Sequence, residues 1–268
     1  MFPELIISVI IAAFVLEFLD ASIGMGYGEI TALLLLMGFM PLEIIPAVLL
    51  TSAVMSLIAG YLHHDFDNVD FSFKKKNKNG FKTKISNDLK ISLVLTLFGI
   101  VGVIIGALLA VRLPELILRI YIGTLVSVIG VMILLKYKKC FSFSWKKIIG
   151  LGSFAAFNKG MTGGGYGPVL AGGQIVSGVD SKKAVAITAL TEGLVCVVGF
   201  GAYIMIGYFG GMGVNLNWPL IISLLIGGVA STPLAVLAVK RLPAKVLRNV
   251  VGVVGIILGL LILGQLVF

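Results

Sequence analysis

Apolar residues run along this chain in ten blocks, divided by short polar or glycine-rich breaks into two sets of five. The first set covers Leu5–Ala21, Tyr27–Met40, Ile44–Leu62, Ile91–Val111 and Leu116–Leu135. The second covers Ile148–Phe157, Tyr166–Val176, Ala184–Tyr208, Trp218–Val239 and Val246–Val267. A helix that crosses a bilayer needs about 20 apolar residues, and most of the blocks approach that length. The pattern predicts an all-α integral membrane protein. Ile148–Phe157 and Tyr166–Val176 are too short to cross and read as half-helices or a re-entrant hairpin. Between them lies FNKGMTGGGYGP, Phe157 to Pro168. Irregular backbone at membrane depth survives only where it is buried in protein or lines a cavity, so this break marks the place to look for a substrate site.

The break has a twin. At an offset of 139, Phe18, Gly24, Gly26, Tyr27 and Gly28 fall on Phe157, Gly163, Gly165, Tyr166 and Gly167. Gly60 falls on Gly199 at the same offset, and further on Arg112-Leu113-Pro114 matches Arg241-Leu242-Pro243 at an offset of 129. The ten residues lost between the offsets sit in a hydrophilic insertion of the first copy, about His63 to Lys90. The chain therefore reads as one transmembrane domain made of two repeats, residues 1–139 and 140–268. An odd number of segments per repeat enters the membrane in opposite senses, the inverted repeat of secondary transporters.

Charge gives a second route to that topology. Of 21 lysines and arginines, 18 lie in four connections: Lys74 to Lys90, Lys136 to Lys147, Lys182 and Lys183, and Lys240 to Arg248. All four fall on one side, and basic residues accumulate in cytoplasmic loops. That places both termini outside a cytoplasmic membrane, with either ten crossings or six crossings and two hairpins. The composition agrees: 59% hydrophobic, 12% charged, mean hydropathy +1.11, against about a quarter charged in soluble domains. Topology accounts for the net charge of +9, so no nucleic-acid partner is expected. Cys140 and Cys196 form no metal or redox motif, and MFPELIISVI lacks the basic start of a cleaved signal peptide.

The breaks carry the candidate chemistry. A helix start presents free N–H groups and the positive end of its dipole, so the segments beginning near Tyr27 and Tyr166 are candidate anion sites. Gly24, Gly26, Gly28, Gly163, Gly164 and Gly165 would let an oxyanion approach the backbone, and Ser22, Asn158 and Thr162 would add side-chain hydrogen bonds. The competing reading is that the glycines serve close helix packing. Gly164→Val is expected to close the approach and leave the protein folded. Lys159 is a lone cation at membrane depth, a functional position by default. Its counterpart is Asp20, which it either neutralises or joins in the site. Glu17, Asp20 and Glu192 are candidate proton carriers. Thr188, Thr191 and Glu192 form a polar stripe with Ser52 and Ser56 on the corresponding face of the first copy; bonding back to their own helices is the alternative. HHDFDNVD, His63 to Asp70, reads as a solvated helix end rather than a metal cluster. No ATP-type phosphate loop is present. No metal and no cofactor are expected.

DASIGMGYG with the following MGFMPLEIIPAVLLTS, and FNKGMTGGGYGPVLAGGQIVSGV with KKAVAITALTEG, resemble the two halves of the TauE/SafE sulfite exporter family. The resemblance covers nearly the whole chain. It implies transport of a small anion such as sulfite, thiosulfate or sulfoacetate, usually as export and coupled to protons. The first motif departs from the second, with Met25 in place of a glycine and Glu29 in place of Pro168. A passive anion channel, a carboxylate uptake carrier and an intramembrane enzyme are the alternatives; an enzyme would need a nucleophile–base pair, and the two histidines lie at a loop edge. The partners implied are a small anionic substrate and membrane lipid, with a homodimer left open.

Overall fold

The computed structural model describes residues 3–72, 85–135, 144–210, 216–239, 241 and 244–266. The lysines from 74 to 84 and from 136 to 139, with Lys240, Cys140, Leu242, Pro243 and the boundary at 139/140, lie outside the described residues. Among the described residues all regular structure is helical: α1 (Pro3–Ile23), α2 (Glu29–Leu36), α3 (Pro41–Asp65), α4 (Asn87–Ala110), α5 (Glu115–Leu134), α6 (Trp145–Thr162), α7 (Tyr166–Val176), α8 (Ser181–Gly210), α9 (Trp218–Ala238) and α10 (Ala244–Gly264). Seven are long and apolar enough to cross a membrane: α1, α3, α4, α5, α8, α9 and α10. The short ones flank the glycine breaks. At about 1.5 Å per residue, the eight residues of α2 and the eleven of α7 reach only part of the way. Large apolar side chains face outward along the long helices, including Leu97, Val101 and Ile105 on α4 and Ile257 and Leu261 on α10. An apolar belt of that extent suits lipid, not water.

The helices pack in four dominant pairs, α1 with α9, α4 with α6, α3 with α8, and α5 with α10. Exchanging α1–α5 for α6–α10 turns the first pair into the second and maps each of the other two onto itself. Register supplies direction. Gly227 lies against Ile10 and Phe14, and Thr232 reaches Glu17, so α1 and α9 run parallel. Gly99 meets Ala156 and Gly106 meets Met161, so α4 and α6 also run parallel. Gly123 meets Gly259 while Gly130 meets Gly252, and Gly193 meets Leu57 while Gly199 meets Leu49, so α5–α10 and α3–α8 are antiparallel.

The register past the breaks differs from the sequence match. Both α2 and α7 end in the same capping pattern: Gly38 and Gly178 take positive φ, and the next N–H, Phe39 or Val179, bonds back to Leu34 or Gln174. These positions are 140 apart, because the second break-to-helix segment carries one extra residue. Thr51 is therefore the counterpart of Thr191, and both hydroxyls bond back to the carbonyls three and four residues earlier. Ser52 corresponds to Glu192, and the identity of Gly60 with Gly199 is not a structural equivalence.

One end of the bundle gathers the described basic connections. Lys183 Nζ lies 3.3 Å from Asp88 Oδ2, and an Arg248 nitrogen lies 3.4 Å from Ser181 Oγ. The starts of α4, α8 and α10 thus share a face, joined by the start of α6 through its parallel packing on α4. Arg112, Glu115 and Arg119 sit at the other end of α4 and the start of α5, with Arg119 held to Glu115 at 2.8 Å. His63 is fully buried rather than solvated. Its Nε2 lies 3.2 Å from the Ala21 carbonyl and its Nδ1 3.2 Å from Asn68 Nδ2, so it ties the end of α1 to the turn after α3.

Candidate functional site

The two glycine breaks cross in contact. Gly24 approaches Gly167, and Gly28 approaches Gly164 and Gly165, one to two residues from the Gly28–Gly163 pairing that exchange of the two copies would give. All four matched glycines have positive φ: Gly24 and Gly163 share one conformation at 76° and 75°, while Gly26 and Gly165 differ at 149° and 79°. L side chains rarely adopt such φ, so these four positions require glycine for conformation. A Cβ on Gly164 would stand 2.8 Å from the Gly28 carbonyl oxygen and 3.1 Å from its Cα. The expectation that Gly164→Val leaves the fold intact is corrected here, because the glycine is what lets the breaks touch.

Around the crossing lie the charged groups. Lys159, in the last turn of α6, is 1% exposed; its Nζ stands 2.6 Å from Glu192 Oε1 on α8 and 3.0 Å from Ser52 Oγ on α3. The ion pair that one reading of the sequence gave to Asp20 is made with Glu192. Lys159 is the counterpart of Asp20, and Glu192 of Ser52, so the four side chains form one constellation in which each copy contributes a different chemistry. Asp20 turns to the backbone instead, its Oδ1 accepting from the Tyr27 N–H at 3.3 Å. At the first break, then, the free N–H where an oxyanion was expected is taken by an internal carboxylate. At the second break the corresponding position is a lysine.

The other predicted residues divide. Asn158 is fully buried; its Oδ1 accepts from Tyr121 Oη at 2.5 Å, and its Nδ2 has no hydrogen-bond partner. Thr162 Oγ1 donates to the Asn158 carbonyl at 2.8 Å and accepts from the Gly164 N–H at 3.1 Å, which fixes the α6 end. Tyr27 Oη lies 3.2 Å from Thr51 Oγ1, and the Tyr166 hydroxyl is buried at the matching place. Glu17 is bound by Thr232 at 3.1 Å across the α1–α9 pair, away from Lys159's own hydrogen bonds. Ser22 bonds back to the Leu19 carbonyl, and Thr191 to its own helix, the alternative the sequence offered. Thr188 Oγ1 accepts from Gln174 Nε2 at 3.0 Å.

Sequence reasoning missed Tyr121, Gln174 and Thr232, and took Ser52 only as a cavity-lining residue. Gln174 carried a legible signal, as an amide inside an eleven-residue helix of otherwise apolar and glycine character. Tyr121 and Thr232 carried none, since a tyrosine or threonine in an apolar run is unremarkable until its partner is known.

Charged side chains buried at the crossing of two helix breaks, inside a lipid-facing bundle, are costly for a protein that only needs to span a membrane; the arrangement is that of a multi-pass membrane transporter. The chain belongs to the sulfite exporter TauE/SafE family, whose model matches residues 79–262. It is similar to the "probable membrane transporter protein YtnM" of Bacillus subtilis (strain 168), with 26% identity over 256 residues, covering 88% of this chain and 75% of that protein. No solved structure matches it significantly.

Proposed function

We propose that the protein is a secondary transporter of a small oxyanion, sulfite or a related organosulfur anion, that works by alternating access and is coupled to protons. The observation that carries this reading is Lys159 held between Glu192 and Ser52 beside the crossed breaks. An anion binding at Lys159 competes with Glu192 for the same ammonium. Freed from its cation in a buried setting, Glu192 takes up a proton rather than remain an unpaired charge, so anion and proton load together. Net direction follows the combined gradients, and a cell that generates the anion internally exports it. Asn158, with its free Nδ2, and the α7 helix start with Gly163, Gly164, Gly165 and Tyr166 add donors at that side of the site.

Reconstituted protein should carry sulfite, thiosulfate or sulfoacetate with an accompanying change of internal pH, and discriminate against sulfate and lactate. Glu192→Gln should keep anion exchange while reducing the accompanying pH change. A passive channel would keep its flux when Glu17, Asp20 and Glu192 are all neutralised, and lactate as the preferred solute would mark a carboxylate carrier.

The helix directions support two inverted five-helix units, residues 1–139 and 140–268, because counterpart helices such as α5 and α10 run antiparallel. The gathered lysines support a cytoplasmic assignment for that end, with both termini outside. Cysteine placed at Lys182 should be labelled by an impermeant reagent only from the cytoplasm, and cysteine at Asn217 only from outside. Labelling of both from one side would end the inverted-repeat reading.

A further inference from the structure

Glu29 belongs to no part of the Lys159 constellation. It opens α2, where the second copy has Pro168, and is 3% exposed, yet its Oε2 has no hydrogen-bond partner among the described residues. Its other oxygen points at Gly255 of α10, where an added Cβ would stand 3.5 Å from Oε1, 3.4 Å from the Val126 carbonyl and 3.6 Å from Gly130 Cα. A methyl group fits there in ordinary contact. Elsewhere the α5–α10 seam is closed, since a Cβ on Gly123, Gly130 or Gly252 would come within 3.1, 2.6 or 2.8 Å of its neighbours. The seam is therefore least tight beside one oxygen of a buried carboxyl group whose other oxygen is unsatisfied, with room there for one carbon atom in ordinary contact.

We propose that Glu29 is a second proton-binding site, separate from Glu192, which exchanges its proton in each transport cycle. An ionised carboxylate with an empty oxygen in such a place costs several kcal/mol, whereas a bound proton removes the charge. Among the described residues, the helices packed on α2 offer no cation to do the same. On α1, Asp20 is a like charge and Glu17 is engaged with Thr232. On α5, Arg119 is paired with Glu115 at the helix start, and on α10 Arg248 reaches Ser181 at the basic end of the bundle. On α3, Glu43 meets the Met40 N–H, and His63 lies between Ala21 and Asn68. Glu4, His64, Asp65 and Lys245 lie at helix ends.

This inference rests on the proton-coupled reading of the Lys159 site, and one experiment tests both separately. The number of protons moved per sulfite is measured in proteoliposomes from the reversal of flux against imposed pH gradients. The unmodified protein should move one proton more per anion than Glu29→Gln, while Glu29→Gln retains sulfite-dependent thermal stabilisation. An unchanged ratio overturns the role of Glu29, whereas sulfite transport without any proton movement in the unmodified protein overturns the coupled reading itself. Gly255→Ala guards against a misfolded glutamine variant, because its methyl fits without displacement. With its methyl against Glu29 Oε1, it should slow sulfite-driven proton movement several-fold at unchanged sulfite affinity, and an unaffected rate overturns the role of Glu29.

Discussion

Lys159→Met should be the most damaging single charge change in the protein, and it should act on stability and on binding together. Removing one partner of a buried ion pair leaves the other uncompensated, at a cost of roughly 3–5 kcal/mol. In a chain of this size that is a fall in melting temperature on the order of 10 °C. Glu192 is the group left exposed to that cost, since it stands 2.6 Å from the lost ammonium. Adding Glu192→Gln should recover most of the lost stability, whereas adding Asp20→Asn should not, because Asp20 is already bonded to the Tyr27 N–H. Neither double variant should regain stabilisation by sulfite. Thermal melts of purified protein with and without sulfite, across both singles and both doubles, make the comparison. If the Lys159→Met/Glu192→Gln protein is stabilised by sulfite like the unmodified one, Lys159 is no anion ligand.

Gly164→Val should break the crossing of the two helix breaks, with loss of folded protein rather than a selective loss of transport. The first carbon of the side chain already meets the Gly28 backbone at 2.8 Å, and backbone cannot rotate away as a flexible side chain can. Overpacking in a well-filled interior costs roughly 1–3 kcal/mol for added methylenes, and the branched side chain belongs at or beyond the upper end. Gly172→Ala is the control, in the same helix pair but with nothing within 4 Å of the added carbon; it should match or exceed the unmodified protein, since alanine favours a helix by about 1 kcal/mol over glycine. Yield of monodisperse protein and its melting temperature read both outcomes. A Gly164→Val protein that is fully stable but inert would restore the narrower view of this glycine as a ligand-approach position.

The helical class and the glycine breaks that meet at the candidate site were legible in the sequence because each rests on a local rule. Length and hydropathy decide whether a helix can cross a membrane, and paired glycines at Gly24/Gly163 and Gly26/Gly165 mark conformations that other residues avoid. Partner choice was not legible. An offset of 139 matches Lys159 with Asp20, but matched positions in a two-fold arrangement need not touch; Lys159 instead reaches across to α3 and α8. Ser52 was placed only on a shared face, because the one extra residue before the α7 cap moves the register to 140, and the chance identity of Gly60 and Gly199 hid that shift. His63 looked like a loop-edge residue because its burial depends on the Ala21 carbonyl, 42 residues away.

The unequal chemistry of the two copies has an energetic consequence. In a carrier whose two orientations arise as the repeats trade conformations, identical repeats would make the inward-open and outward-open forms equal in free energy, and an empty carrier would rest half in each. If this protein works as proposed above, the trade sets Lys159 and Glu192 against Asp20 and Ser52, and the two forms would not be isoenergetic. A difference of about 1.4 kcal/mol already skews such an equilibrium tenfold. On the alternating-access reading proposed above, the protein would wait facing one way, on the side chosen by which repeat holds the lysine.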